Sequence, residues 1–271
     1  MAKIVILSGA GISAESGIET FRDSDGLWEG YAIEKVATKG VLKSNRAEAI
    51  EFYDKRRLNL EDKKPNYAHK VVAELKNKYQ DEIAVITQNV DNLFEKAGIH
   101  HDDITHLHGF LTELECEKCG LVYDIGYQKV EDSFNGKCPT CSSPKIRPNI
   151  VMFGEVAIEY KKLESELKQC ELLVVIGTSG NVLDVNTMVR STPSSILNNL
   201  EANEYIDDSI FTKVLYKKAT EAIEEIKEEI VKLVKQKYYY QCGNCKAEYM
   251  FYKELDGFDC TVCMQKINMV W

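Results

Sequence analysis

Eight of the nine cysteines in this 271-residue chain fall in four C-x-x-C pairs: Cys116/Cys119, Cys138/Cys141, Cys242/Cys245 and Cys260/Cys263. Eighteen residues separate the first two pairs and fourteen the second two. At such spacings two knuckles converge on one tetrahedral ion, and zinc is the economical reading for each set. Reduced thiols or a redox pair are the alternative. Four thiolates close the coordination sphere and leave no place for an activated water, so both ions are expected to be structural, with the chemistry elsewhere.

The polypeptide between and around these pairs reads as an α/β protein. "KIVIL" (3–7), "IAVIT" (83–87) and "LLVVIG" (172–177) are short continuous apolar runs, as in strands buried on both faces of a parallel sheet. Between them, "NRAEAIEFYDKRRLNLEDK" and "NYAHKVVAELKNKY" repeat apolar positions at three and four residues, with Pro65 and Asn66 marking a boundary. Residues 113–145 break this rhythm with the first cysteine set and predict a small zinc-binding insertion. "KKATEAIEEIKEEIVKLVKQK" (217–237) aligns Ala219, Ile223, Ile226, Ile230 and Leu233 in one stripe, with glutamates early and lysines late, and predicts a closing helix. The last 34 residues, 238–271, read as a separate zinc ribbon. Its aromatics, Tyr238 to Tyr240, Tyr249, Phe251 and Tyr252, are expected to serve first as a small core.

Composition excludes some partners. With 43 acidic against 34 basic residues the net charge is −9, which disfavours a general grip on a phosphate backbone, so nucleic acid is an unlikely partner. The first apolar run stops at Ser8 and Gly9 without a basic flank or cleavage-like site, and no later run approaches membrane-spanning length. A cytoplasmic protein with no membrane partner is expected.

Two polar clusters stand where strands end, and a third lies downstream. "GAGISA" fits G-x-G-x-x-[G/A] through Gly9, Gly11 and Ala14, where small residues and a following helix N-terminus would admit a pyrophosphate. A dehydrogenase should then reach a second strand with an acidic ribose ligand, but "ETFRDSDGLWEGY" fills that distance and suggests a covering loop. Gln88, Asn89 and Asp91 come after "IAVIT", although Asp91 read alone is equally a helix cap. "ITHLHGFLTE" offers His106 and His108, whereas His69, His100 and His101 have no chemical context.

Taken together, "GAGISAESGIETFRD", "TQNVDNLFEKAG", "HLHG", the first C-x-x-C set, "IVMFGE" and "GTSGNV", in this order, resemble the sirtuin (Sir2) family of NAD-dependent protein deacylases, closest to its bacterial desuccinylase and demalonylase type. The resemblance covers about 1 to 230. It implies a Rossmann-like parallel sheet with helices on both faces, formed by 1–112 and 146–237, and an acyl-lysine pocket in a helical insertion at 31–80. NAD would be a co-substrate, consumed to give nicotinamide and O-acyl-ADP-ribose. Gly9, Ala10 and Gly11 would line the pyrophosphate, with Phe21 and Arg22 on a closing loop. Gln88, Asn89 and Asp91 would shape the nicotinamide and ribose pocket. Gly177, Thr178 and Ser179, then Asn199, Glu201 and Ala219, would complete the cofactor site. His108 would be the base on a ribose hydroxyl, with Asn89 and Asp91 also catalytic. Phe153, Gly154 and Val182 would pair with the substrate peptide as an added strand.

Tyr53 and Arg56 are three apart on an expected helix and so share a face, where an arginine clamps a carboxylate with two hydrogen bonds. They resemble the pair in sirtuins that remove succinyl and malonyl groups, and Ala37 matches the small residue that leaves room. A solvated helix face is the bland alternative. Two departures from the family pattern stand out. Leu183-Asp184-Val185 replaces the usual proline-containing turn and would put a carboxylate near the peptide cleft, and Lys217 stands where many relatives have glycine. Acylated-lysine proteins are the expected substrates and the ribbon a possible docking surface for a protein partner. An NAD hydrolase and a non-catalytic NAD-sensing module are the rival readings.

Overall fold

The computed structural model describes residues 3–19, 27–28, 31–235, 238–251 and 258–267. The chain divides into two compact units, Met1–Glu224 and Glu225–Trp271.

The first unit is built on strands β1 (Ile4–Ser8), β2 (Ile83–Thr87), β3 (Ile104–His106), β7 (Leu172–Ile176), β8 (Ser194–Asn199) and β9 (Lys213–Tyr216), all paired in parallel. Their order is β9-β8-β7-β1-β2-β3, so the chain reverses its direction of growth between β1 and β7. Every residue of β1 and β7 is buried, which explains why their sequences are apolar throughout except for Ser8 at the end of β1, whose hydroxyl donates to Thr87. Val5, Leu7, Leu173 and Val175 join one core cluster with Leu163 of helix α4 (Tyr160–Leu167) and Val185 and Val189 of α5 (Val185–Arg190). By alternation Ile4 and Ile6 face the other side, and α2 (Tyr67–Tyr79) packs on β2 with Ala68, Val71, Val72 and Leu75 buried. Asn66 caps α2: its carboxamide oxygen accepts from the amides of Ala68 and His69.

A second layer, antiparallel, lies between β3 and β7 in the chain: β4 (Gly109–Cys116) is central, flanked by β5 (Val122–Asp124) and β6 (Ile146–Ile150). Helix α1 (Arg46–Leu60) carries an ion pair within itself, Arg57 with Asp54, and Arg57 also ties the helix to this layer. Arg57 is fully buried; its Nη1 donates to Asp54 at 2.5 Å and its Nε to the Leu111 carbonyl at 2.8 Å, while the Val130 amide donates to Asp54. Removing either partner would strand a buried charge at a cost of about 3–5 kcal/mol.

All four C-x-x-C pairs form the same knuckle. The residue after the second cysteine is left-handed in each: Gly120 (φ 71°), Ser142 (54°), Lys246 (61°) and Met264 (60°). Its amide donates to the carbonyl of the first cysteine at 2.8, 2.9, 3.0 and 2.8 Å respectively. The turn directs two thiols of each knuckle toward the thiols of the other. Cys116 and Cys141 sulfurs lie 3.6 Å apart, as do Cys119 and Cys138. In the second set the separations are 3.5 Å for Cys242 and Cys263 and 3.4 Å for Cys245 and Cys260. A tetrahedral ion with Zn–S bonds of about 2.3 Å spreads its sulfurs about 3.8 Å apart, and a disulfide needs about 2.05 Å. The donor sets therefore fit zinc, and each group of four could hold one ion.

In the second unit, β10 (Tyr238–Gln241) pairs with β11 (Glu248–Phe251) and β12 (Phe258–Asp259) with β13 (Lys266–Ile267). Tyr240, Cys242, Cys260 and Ile267 form its small core, with Phe258 edge-on to Tyr240 and Tyr249. The side chains of Tyr238, Tyr239 and Phe251, and all of Tyr252, lie outside the described residues. Helix α6 (Ala219–Val234) carries the expected stripe: Ala219, Ile223, Ile226 and Ile230 are buried and Leu233 is half-buried.

Candidate active site

The carboxyl ends of β1, β2, β7 and β8 open into one cavity of about 850 Å³. Its place beside the reversal in strand order, between β1 and β7, is where open parallel sheets bind ligands.

Glycines make that place possible. A Cβ on Gly11 would stand 2.6 Å from the Gly177 Cα, and one on Gly177, which is left-handed at φ 65°, would stand 2.5 Å from the Ile12 nitrogen. The two turns touch backbone to backbone, tied by Gly11 N–H to the Gly177 carbonyl at 2.8 Å. This corrects the expected reason for the glycines: the immediate demand comes from one turn on the other. A second correction concerns the segment after the first turn. No α-helix starts there; Ala10–Ile12 and Ala14–Ser16 are single 3-10 turns. Gly9, Ala10 and Gly11 nonetheless line the cavity, as do Gly177, Thr178, Ser179, Asn199 and Ala219. Glu201 does not; it lines a neighbouring pocket of about 390 Å³ with Ser179 and Asn181. Phe21 and Arg22 lie outside the described residues.

At the end of β2 the polar residues are locked by one another. Gln88 Nε2 donates to Thr178 Oγ1 at 3.0 Å, joining the β2 and β7 loops. Asn89 Nδ2 donates to Ser13 Oγ at 3.0 Å, and Ser13 donates to Asp91 Oδ2 at 2.9 Å. The other oxygen of Asp91 accepts from the Leu93 amide, so Asp91 both caps the turn and anchors the pocket. Burial raises the Asp91 carboxyl above its usual range, against the opposing pull of these hydrogen bonds. Beneath Ser13, at 3.4 Å, lies His69, which is fully buried and whose Nδ1 donates to the Asn66 carboxamide oxygen. Burial brings its pKa down to about 4, so the ring is neutral at physiological pH.

His108 faces the same cavity as Gly9, Gly11, Asn89 and Asp91. Its Nδ1–H donates to the Gln88 carbonyl at 2.9 Å, which fixes the tautomer and leaves the Nε2 lone pair toward the cavity. Burial lowers its pKa below the ordinary 6.5, and the Gln88 bond only partly offsets this. The imidazole is thus held neutral, with Nε2 as a hydrogen-bond acceptor. Tyr160 donates its hydroxyl to that Nε2 at 3.0 Å and lines the cavity.

Ala37, Tyr53 and Arg56 line the cavity too. Tyr53 is 1% and Arg56 7% exposed, set among Leu60, Leu111, Ile150 and Met152, so the solvated-face alternative is excluded. The Arg56 guanidinium lies 5.7 Å from the Phe52 ring centroid. Burial pushes the Tyr53 hydroxyl up to about 12, keeping it a hydrogen-bond donor.

Two peptide-cleft expectations change. Phe153, Gly154 and Val182 all line the cavity, but the Phe153 backbone is already paired: its amide donates to Ala37 and its carbonyl accepts from Lys39. It is unable to add a substrate strand through those groups. Asp184 caps α5, accepting from the Thr187 amide at 3.1 Å and hydroxyl at 2.6 Å, and does not line the cavity. Leu183 and Val185 on either side are buried in the core. Lys217 lines the cavity, its amide donating to the Asn199 carbonyl.

Ser13, His69 and Tyr160 were not anticipated. Only Ser13 carried a signal, as a variable position within the glycine motif; the others arrive from segments more than fifty residues away.

The family model described as "Sir2 family" matches residues 9–184. An NAD-dependent protein deacylase of Campylobacter jejuni (strain RM1221) is 45% identical over 235 residues, covering 87% of this chain and 98% of that protein. One from Helicobacter hepaticus is 40% identical, covering 85% and 98% respectively. Among solved structures, a mutant Sir2 homologue bound to ADP-ribose superposes with a TM-score of 0.74 at 30% identity over 84% of this chain and 92% of that one. A Sir2 homologue bound to NAD gives 0.72 at 30% identity, over 84% and 89%. With a parallel sheet, a strand-end cavity and relatives matched over nearly their whole length, the chain belongs to the Sir2 family.

Proposed function

We propose that this chain is an NAD-dependent protein-lysine deacylase that prefers short dicarboxylic acyl groups, succinyl and malonyl, over acetyl. The sirtuin-type deacylase activity rests on the family and on the relatives' shared name. The acyl preference is carried by one observation: a tyrosine and an arginine, both buried, stand in the apolar wall of the cavity that also holds His108. A guanidinium there offers an acyl carboxylate two parallel charge-assisted hydrogen bonds, and the protonated Tyr53 hydroxyl a third. Acetyl has nothing to engage them. Ala37 leaves the volume a longer acyl chain needs.

The glycine cradle suits a dinucleotide because Gly9, Ala10 and Gly11 line the cavity with no side chain larger than a methyl group. NAD would supply the ribosyl group that receives the acyl chain and nicotinamide as leaving group. Gly9, Ala10, Gly11 and Thr178 would hold it, and Asn89, fixed by Ser13, would orient the nicotinamide ribose with Asp91. His108 then takes a proton at Nε2 from a ribose hydroxyl, after Tyr160 yields its place there. The surrounding apolar wall would limit water until transfer is complete. Gly154 and Val182 remain as the backbone flanks for an extended acyl-lysine peptide.

We further read 113–145 as the zinc-binding insertion, 238–271 as a ribbon open to a protein partner, and the whole as cytoplasmic. No helix among the described residues is long and apolar enough to cross a membrane. The test is kcat/KM for succinyl-, malonyl- and acetyl-lysine versions of one peptide. The dicarboxylic substrates should lead by at least tenfold; an acetyl preference would refute the assignment of Arg56.

A further inference from the structure

Behind the Asn89 carbonyl, and outside the residues that line the cavity, three side chains from separate elements converge. Glu95 lies in the short helix α3 (Leu93–Lys96), His101 in the 3-10 turn His101–Asp103, and His106 at the end of β3. Glu95 Oε1 lies 2.8 Å from His106 Nε2 and 3.0 Å from His101 Nδ1, and the three ligand atoms all lie within 4.8 Å of one another. Both rings pack 4.6 Å from the ring centroid of Phe110, which closes the cluster on its apolar side.

Hydrogen-bond arithmetic makes this more than an ion pair. His106 Nδ1 lies 3.3 Å from the Asn89 carbonyl, an acceptor only, so that nitrogen carries the proton. A neutral ring would then turn the lone pair of Nε2 onto the Glu95 carboxylate, lone pair against lone pair. Either the ring holds two protons or a cation stands between nitrogen and oxygen. Glu95 Oε2 is buried with no hydrogen-bond partner, an acceptor left open at the same place. The outward nitrogens have the usual support of metal-bound imidazoles: His106 Nδ1 toward a backbone carbonyl, His101 Nε2 toward the Glu113 carboxylate at 3.6 Å.

We propose that Glu95, His101 and His106 form a third metal site, separate from both cysteine sets, for a divalent transition ion of the zinc–nickel type. Two imidazoles and one carboxylate suit such ions and leave a coordination position for water. Bonds of about 2.1 Å in a tetrahedral arrangement place ligand atoms about 3.4 Å apart, so the pair at 2.8 and 3.0 Å opens by roughly half an ångström on binding. His101 is 42% exposed and gives the ion its entry path.

The experiment is calorimetric titration of the full chain, purified with its thiolate-bound zinc, with nickel chloride. The expected result is one site per chain, with cobalt at the same site showing visible bands but no thiolate charge-transfer absorption. His101→Ala should weaken uptake at least about 100-fold while melting without added nickel is unchanged. Glu95→Gln, isosteric, should do the same, with the same melt as its folding control. Absence of uptake by the native chain, or equal uptake by both variants, overturns the proposal and leaves a doubly protonated His106 paired with Glu95.

Discussion

Replacing Arg56 with methionine isolates the acyl clamp. The side chain lies on α1 with 7% exposure, and methionine fills most of its volume without charge. An acyl carboxylate entering the variant would lose its charge-assisted bonds and stand buried among Leu60, Leu111, Ile150 and Met152. A charged hydrogen bond contributes about 1.5–3 kcal/mol, and truncating one partner of a buried pair costs about 2–5 kcal/mol. Taking about 3 kcal/mol, with tenfold in rate for each 1.36 kcal/mol, kcat/KM for a succinyl peptide should fall about 100-fold. Acetyl-peptide turnover should stay within about threefold, since acetyl carries no carboxylate. The assay is peptide mass change with both substrates at subsaturating concentration, with a thermal melt as control. Equal losses on both substrates would mean that Arg56 supports the fold, and unchanged succinyl turnover would mean that the clamp lies elsewhere.

His69, with a folded pKa near 4 against an unfolded value of 6.5, binds its proton less readily in the native state. Its contribution is therefore fully present above about pH 6.5 and lost as pH falls toward 4, by up to about 3 kcal/mol. Urea unfolding from pH 4 to 7 should show that slope in the native chain and a flatter one in His69→Gln; identical slopes would refute it. Tyr160→Phe removes a donor to the neutral form of His108, so the acid limb of the kcat/KM profile should move up from its place below 6.5. An unmoved limb would show that the hydroxyl does not govern the base. Lys246→Gly relieves a left-handed backbone and should raise the unfolding free energy by about 1 kcal/mol, read by chemical denaturation; no gain would indicate that this turn is unstrained.

Features that the chain spells out locally were legible. The strands β1, β2 and β7 were visible because burial leaves each a run of four or five apolar residues, with only Ser8 and Thr87 at the strand ends polar, and α1 and α2 because their apolar positions recur at helical spacing. β8, "SSILNN", and β3, "ITH", escaped that criterion: they are short and mixed in polarity, and their polar side chains serve sheet-end hydrogen bonds, as Asn198 does with the Leu215 and Lys217 carbonyls. The knuckles were readable from spacing because four thiols satisfy one ion's geometry. The support of the site was not, because it is made by tertiary contacts: Ser13 meets His69 and Asp91, and His108 meets Tyr160, across long stretches of chain. Asp184 was misjudged for the same reason. A carboxylate expected near the peptide cleft became a helix cap once α5 began at the next residue.

The measurement closest to the central claim is nicotinamide release monitored together with peptide deacylation, with NAD present and a succinyl-lysine peptide added or withheld. One nicotinamide per lysine freed, release only with peptide, and loss of deacylation by at least about 100-fold in His108→Ala are the expected results. Nicotinamide released at the same rate without peptide, or deacylation indifferent to the loss of His108, would contradict the reading that this imidazole and the glycine cradle share one catalytic cavity.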